Sequence, residues 1–216
     1  MKKILLCFLF SSFLLTKDLP NDIRWVVNSK EYKSLCHQTF NTASIMLDEY
    51  LKNNKNNNLA IVMDLDETVL DNSQYQVEIN NKNETFNMDS WSAWVLREEA
   101  KLVPGVKKFI KKVRKNNIQL IFISNRMHAR LKATKGNMKK LDIFSKDDIF
   151  LLRKDKKDKK DVRRNEIYLS KGRMKKYEKF NFVQYFGDAM GDFPILDNSE
   201  FGKSQFVLPN PMYGKW

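Results

Sequence analysis

The 216-residue chain carries only two cysteines, Cys7 and Cys36. They stand too far apart to offer zinc-ligand spacing. If Cys7 leaves with a cleaved leader, Cys36 is alone and no intrachain disulfide can form. Glycine and proline are also scarce, at seven and five residues, which excludes a low-complexity or linker-rich chain. The N-terminal apolar run falls short of the ~20 residues a helix needs to span a bilayer.

What is present is enough for a core: 42% hydrophobic and 12% aromatic residues, in a length that suits one domain with a modest insertion. The charge is lopsided, with 39 Lys and Arg against 26 Asp and Glu, a formal +13. Such a balance suits an anionic partner: nucleic acid, a membrane surface or a phosphorylated metabolite. It equally suits a solvated lysine-rich surface. The lysines are scattered and not gathered into one arm, so no nucleic-acid partner is expected.

Residues 1–16 read as a signal peptide or anchor. Met1-Lys2-Lys3 is a positive n-region, and Ile4 to Leu15 is apolar apart from Ser11 and Ser12. Export to the periplasm or cell envelope follows, with membrane association through the N-terminus as the alternative to cleavage. No A-x-A-like cleavage site follows. Cys7 also lacks the small residue before it that a lipidation site requires.

Residues 17–58 form an N-terminal helical segment. Tyr32, Leu35, Phe40, Ala43, Met46, Leu47, Tyr50 and Leu51 recur at helical spacing, until the polar run Asn53 to Asn58 ends it. The core is expected over 59–216. Leu59 to Met63 is apolar at every position, as a central parallel strand buried on both faces should be. Residues 72–103 are polar and aromatic with no clear period and read as a lid or insertion. Pro104 opens a helix with Val106, Phe109, Ile110 and Val113 on one face. Further strands are expected at 118–124, 148–152, 182–186 and 205–208. A helix over 128–141 and a long basic helical stretch after 152 lie between them. This alternation implies βαβ units: an α/β fold with a Rossmann-like parallel sheet and flanking helices.

Ligands of such sheets sit beyond the C-terminal strand ends. The first strand is followed by Asp64-Leu65-Asp66-Glu67-Thr68 and the second by Ser124-Asn125-Arg126. The lysine run Arg153 to Lys160 follows the third, and Gly187-Asp188 with Asp192 the fourth. Carboxylates, a hydroxyl with an amide, and lysines converge on one crevice. That set can bind a phosphate and a divalent cation together. Asp64 and Asp66, as alternate residues, reach one ligand only if the chain leaves strand geometry after Asp64. A tight loop is therefore expected there.

The stretch Val62-Met63-Asp64-Leu65-Asp66-Glu67-Thr68-Val69-Leu70-Asp71-Asn72 resembles the first motif of haloacid dehalogenase phosphatases. More narrowly it resembles the class C nonspecific acid phosphatases, the bacterial lipoprotein acid phosphatase/5′-nucleotidase group. Val103-Pro104-Gly105, Ser124-Asn125-Arg126, Gly187-Asp188 with Asp192-Phe193, and Leu208-Pro209-Asn210-Pro211 with Tyr213-Gly214 fit the same family. The resemblance runs from about Trp25 to the C-terminus. It implies an Mg²⁺-dependent phosphatase acting on small phosphomonoesters, 5′-nucleotides among them. Asp64 would be the nucleophile, forming an aspartyl-phosphate, and Asp66 the acid and base. Asp64, the backbone carbonyl of Asp66 and Asp188 would hold Mg²⁺, with Asp192 behind them. Ser124, Asn125 and a lysine would bind phosphate. The pattern Lys-Asp-Lys-x-x-Lys over Lys154 to Lys159 favours Lys159, with Lys160 next. Ala189 departs from the family, which usually has a polar residue there.

Glu67 and Asp71 are expected to hydrogen-bond the motif loop, and His128 to be a surface or packing residue. Trp91 and Trp94 read as lid core or as substrate wall. Tyr213 would either stack a nucleobase or pack the C-terminus. Outside this reading stand a phosphatase or phosphotransferase for another small metabolite and a non-catalytic surface binding protein. A binder would have no need of Asp66.

Overall fold

A computed structural model describes residues 18–194 and 197–214. The leader of residues 1–16, with Cys7, lies outside the described residues. Among the described residues, no helix is long and apolar enough to cross a membrane.

Two helices lead in, α1 (Asn21–Asn28) and α2 (Lys30–Asn53). Ser29 caps α2, its hydroxyl accepting from the Tyr32 amide at 3.0 Å. The buried stripe of α2 is Tyr32, Cys36, Phe40, Ala43 and Leu47. Leu35, expected on that stripe, is 43% exposed. With 3.6 residues per turn, the i, i+4 steps from Tyr32 and to Phe40 pass through position 36, so Cys36 takes the inward place.

Five parallel strands form the main sheet: β1 (Leu59–Met63), β4 (Gln119–Met127), β5 (Ile149–Arg153), β6 (Asn181–Gly187) and β7 (Gln205–Val207), in the order β5-β4-β1-β6-β7. Central β1 is buried from Ala60 to Met63, as its uninterrupted apolar run requires. On one face pack α2, α5 (Val106–Lys115) and α6 (Leu131–Lys140). The inward face of α5 is Val106, Phe109, Ile110 and Val113, each worth about 1.5–3 kcal/mol on burial. Phe186 of β6 stacks between Phe40 and Phe206, at ring distances of 5.6 and 5.1 Å. The other face is covered by α7 (Lys160–Tyr168) and the segments after it, through Ile167, Met174, Phe180 and Phe193.

Between β1 and α5 the insertion is ordered. The short antiparallel pair β2 (Leu70–Asp71) and β3 (Lys101–Leu102) closes its base. It carries two helices that the sequence pattern did not reveal, α3 (Ser73–Asn81) and α4 (Met88–Arg97). Their period is obscured because the residues they bury are largely polar or aromatic: Ser73, Tyr75, Gln76 and Trp94.

The chain visits β4 and β5 on one side of β1 and then returns to β6 and β7 on the other. This reversal puts a crevice at the C-terminal end of β1, flanked by the ends of β4 and β6.

Candidate active site

Asp64 is the first residue past β1, and its amide donates to Phe186 O at 2.9 Å, ending the ladder with β6. The chain then leaves strand geometry. Leu65 O accepts from both Val69 N and Leu70 N, at 2.9 and 2.7 Å. Glu67 sits at φ 57°, a left-handed conformation that the surrounding bonds must hold. Its Oε1 accepts from the Asn72 amide at 2.9 Å, and Asp71 Oδ1 from the Ser73 amide at 2.8 Å. The tight loop is present, and both carboxylates hold it.

Asp64, Asp188 and Asp192 each place a carboxylate oxygen within 4.8 Å of the others. Lys160 enters this cluster from the first turn of α7. Its Nζ lies 2.8 Å from Asp64 Oδ1 and also pairs with Asp192 Oδ1. Asp192 Oδ2 accepts from the Ala189 amide at 3.3 Å, so position 189 contributes through its backbone and not its side chain. Asn210 Nδ2 donates to Asp188 Oδ2 at 2.8 Å.

The lysine differs from the one the sequence pattern favours. Lys159 is solvent-exposed as the residue before α7, and Lys160 is the one turned inward. The cause is a turn. Asp155 Oδ1 accepts from the amides of Lys157 and Asp158, at 2.7 and 3.2 Å, and Asp158 Oδ2 accepts from the Lys154 amide at 2.9 Å. That turn occupies the first half of the basic run, so the helix starts only at Lys160 and is nine residues long. The long basic helix expected after β5 is thereby shortened.

Electrostatics bear the marks of crowding. Burial pushes the Asp64 carboxyl well above the usual carboxylate range; Lys160 opposes this, and Asp192, Asp188 and Asp66 add to it. Burial likewise pushes Asp188 up to about 6, with the Asn210 bond holding it down and Asp192 raising it. For Lys160 burial acts downward, but Asp64 and Asp192 outweigh it and the ammonium is held above its usual value. Three clustered carboxylates facing a single lysine leave negative charge uncompensated. Asp64 Oδ1 is buried and, although close to Lys160, receives no well-aligned hydrogen bond. An all-oxygen donor set of this kind fits a hard divalent cation such as Mg²⁺.

The Asp66 side chain stands apart from that cluster. Its Oδ1 accepts from Arg126 Nε at 2.9 Å and from Asn72 Nδ2 at 3.0 Å, and its Oδ2 lies 3.4 Å from Ser124 Oγ. Arg126 is only 2% exposed. Asn72 Oδ1 in turn accepts from Trp94 Nε1 at 2.9 Å and from Arg126 Nη2 at 3.2 Å. Trp94 therefore belongs to the core of the insertion. Trp91 is half-buried, its ring 5.7 Å from the Arg126 guanidinium. Ser124 is fully buried and Asn125 is exposed at the end of the same strand. Tyr213 is 38% exposed, three residues beyond the Asn210 that grips Asp188. His128 is exposed on a short 3-10 turn, away from these contacts.

Sequence reasoning missed Asn72, Arg126 and Asn210 as supports of the site. A signal existed for all three, since each falls within one of the motif stretches.

A parallel α/β sheet with an acidic cluster and one buried lysine at its central strand ends suits the joint binding of a phosphate and a divalent cation. The family model of the HAD superfamily, subfamily IIIB (acid phosphatase), matches residues 15–216, and the chain belongs to that family. It is similar in structure to the class C acid phosphatase from Bacillus anthracis. The tungstate-bound form gives a TM-score of 0.78 at 29% identity, covering 89% of this chain and 84% of that one. A second structure of that enzyme gives 0.77 at 30% identity. In sequence it is similar to the stem 31 kDa glycoprotein of Glycine max, 27% identical over 158 residues, or 72% of this chain. The stem 28 kDa glycoprotein of the same plant is 28% identical over 156 residues. The chain spans 59% of the length of each of these two curated relatives.

Proposed function

We propose that the protein is a Mg²⁺-dependent acid phosphatase that hydrolyses phosphate monoesters, 5′-nucleotides among them, through an aspartyl-phosphate on Asp64. The observation that carries this reading is the Lys160 ammonium, set between Asp64 and Asp192 beside Asp188. A nucleophilic carboxylate and a phosphate repel each other, and their approach requires positive charge on both sides.

In this reading Asp64 attacks phosphorus while the bond to the leaving oxygen breaks, and Asp66 gives that oxygen its proton. Water then attacks the phosphorus of the aspartyl-phosphate, Asp66 takes the proton, and Asp64 is released with inorganic phosphate. Mg²⁺ held by Asp64, Asp188 and the Asp66 carbonyl would offset the negative charge of nucleophile and substrate. Ser124, Asn125 and Lys160 bind the phosphate oxygens. Arg126 and Asn72 hold the Asp66 carboxylate beside Ser124. Trp91, with its ring near the Arg126 guanidinium, and the part-exposed Tyr213 would supply surfaces on which a nucleobase can stack. Export to the cell envelope rests on the N-terminal leader and is checked by fractionation.

The test is hydrolysis of p-nitrophenyl phosphate with Mg²⁺ and with EDTA, alongside Asp64→Asn. Turnover that needs the metal and vanishes in a folded Asp64→Asn protein supports the reading. Full activity in excess EDTA, or near-wild-type kcat in the variant, overturns it.

A further inference from the structure

Arg163 is fully buried beneath the site, with none of its surface exposed, and is used by nothing in the mechanism above. Its guanidinium joins three elements. Nη1 donates to the Ser124 carbonyl of β4 and to Leu151 O of β5, the latter at 3.1 Å. Nε donates to Lys159 O at 3.2 Å, at the entry to α7. Nη2 donates to Asn125 Oδ1 at 2.7 Å. A guanidinium has five donors and no acceptor, so its partner atom on Asn125 has to be the oxygen. The Asn125 amide nitrogen is thereby turned away from Arg163, and its two N–H donors are left free for another partner. Lys160 and Arg163, three apart, share one face of α7. The bond to Lys159 O fixes the turn from which Lys160 reaches Asp64.

We propose that Arg163 is a positioning residue for phosphate binding, orienting the Asn125 amide and anchoring the helix start that delivers Lys160. The proposal rests on the reading that Asn125 and Lys160 hold the phosphate. A guanidinium fork suits the task, because no other side chain can donate to four acceptors on three elements at once.

The experiment measures binding of inorganic phosphate to the Mg²⁺-loaded full-length protein by calorimetry, so that it does not depend on turnover. Arg163→Lys keeps the charge but loses the fork. It is expected to remain folded by circular dichroism and to bind phosphate about tenfold more weakly, with a matching rise in KM. Asn125→Ala should cost a similar factor. The double variant should then lose more than either single one but well short of a hundredfold, because the Asn125 contact is lost in both changes while the anchor at Lys159 O is lost only with Arg163. Unchanged phosphate affinity in a folded Arg163→Lys protein, or fully multiplicative losses, overturns the proposal. If Arg163→Lys does not fold, Asn125→Asp decides. It keeps an oxygen for Nη2, so its Tm should equal or exceed that of wild type, while phosphate binding weakens more than tenfold. A Tm lowered by many degrees shows that Arg163 does not hold that oxygen. Wild-type protein that neither binds phosphate nor hydrolyses p-nitrophenyl phosphate overturns the phosphatase reading itself. Phosphate-binding wild type with an unaffected Arg163→Lys variant overturns only the role of Arg163.

Discussion

Replacing Asp188 by asparagine should stabilise the protein when no metal is present and destabilise it when Mg²⁺ is. In the folded chain burial lifts the Asp188 carboxyl from its ordinary 3.8 to about 6. The folded state therefore binds this proton more tightly than the unfolded state. Below pH 4 both states are protonated and burial costs no charge. As the pH rises from 4 to 6, the folded carboxylate must ionise against its surroundings, and stability is lost through that window. Two pKa units correspond to about 3 kcal/mol, and Asp64, raised for the same reason, acts in the same direction. For a chain of this size that is roughly 6–12 °C in Tm.

The assay is a set of thermal melts of wild type and Asp188→Asn at pH 4, 5, 6 and 7, in EDTA and in Mg²⁺. Taking the difference between the two proteins cancels the general effect of acid on a chain of net charge +13. Glu78 and Asp158, whose carboxyls are lowered by Arg97 and Arg173 against their own burial, begin to lose their stabilising pairs as the pH falls through their ordinary values, at the acid edge of this window, and that loss is common to both proteins and cancels in the difference. In EDTA the two proteins should melt together at pH 4, with Asp188→Asn pulling ahead by pH 7. In Mg²⁺ wild type should be the more stable at pH 7, and the gain from metal should grow with pH because protons and cation compete for the same oxygens. A difference in EDTA that is flat from pH 4 to 7, or a metal increment independent of pH, would refute the reasoning.

Asp66→Asn should slow hydrolysis of an alkyl phosphate far more than that of p-nitrophenyl phosphate, since a good leaving group needs little protonation; equal losses on both would leave Asp66 a structural role only. Gly187→Ala adds a Cβ that meets the Cβ and carboxylate of Asp192; displacing Asp192 from Lys160 should cut kcat/KM at least tenfold, and unchanged kinetics would show that the pair is dispensable. Tyr213→Ala should raise KM selectively for a nucleoside 5′-monophosphate over p-nitrophenyl phosphate, whereas parallel losses with a lower Tm would mean that the ring only packs the C-terminus.

The sheet was legible because its signal is redundant: β1 and β5 are short apolar runs, β6 is interrupted only by Gln184, and the apolar parts of β1, β4, β5 and β6 each give way to polar or charged residues. The strand-end carboxylates could therefore be placed before any coordinates. The insertion was legible only as a break in that rhythm, because α3 and α4 bury Tyr75, Gln76 and Trp94 and so lack an aliphatic stripe. The lysine shows a different limit. Lys159 and Lys160 have the same chemistry, and what separates them is the phase at which α7 begins. That phase is set by the turn at Asp155 and Asp158, and Asp158 is held in turn by Arg173, at 2.9 Å, from fifteen residues further on. The buried arginines are hidden for a related reason. In sequence Arg126 and Arg163 are two cations among 39 Lys and Arg residues, and nothing local tells a solvated guanidinium from one enclosed by carbonyls. What marks them is a demand made elsewhere. Strand ends crowded with orphan carbonyls and an acid to be aimed need a multi-pronged donor, and the arginines near those ends in the chain are the residues able to supply it.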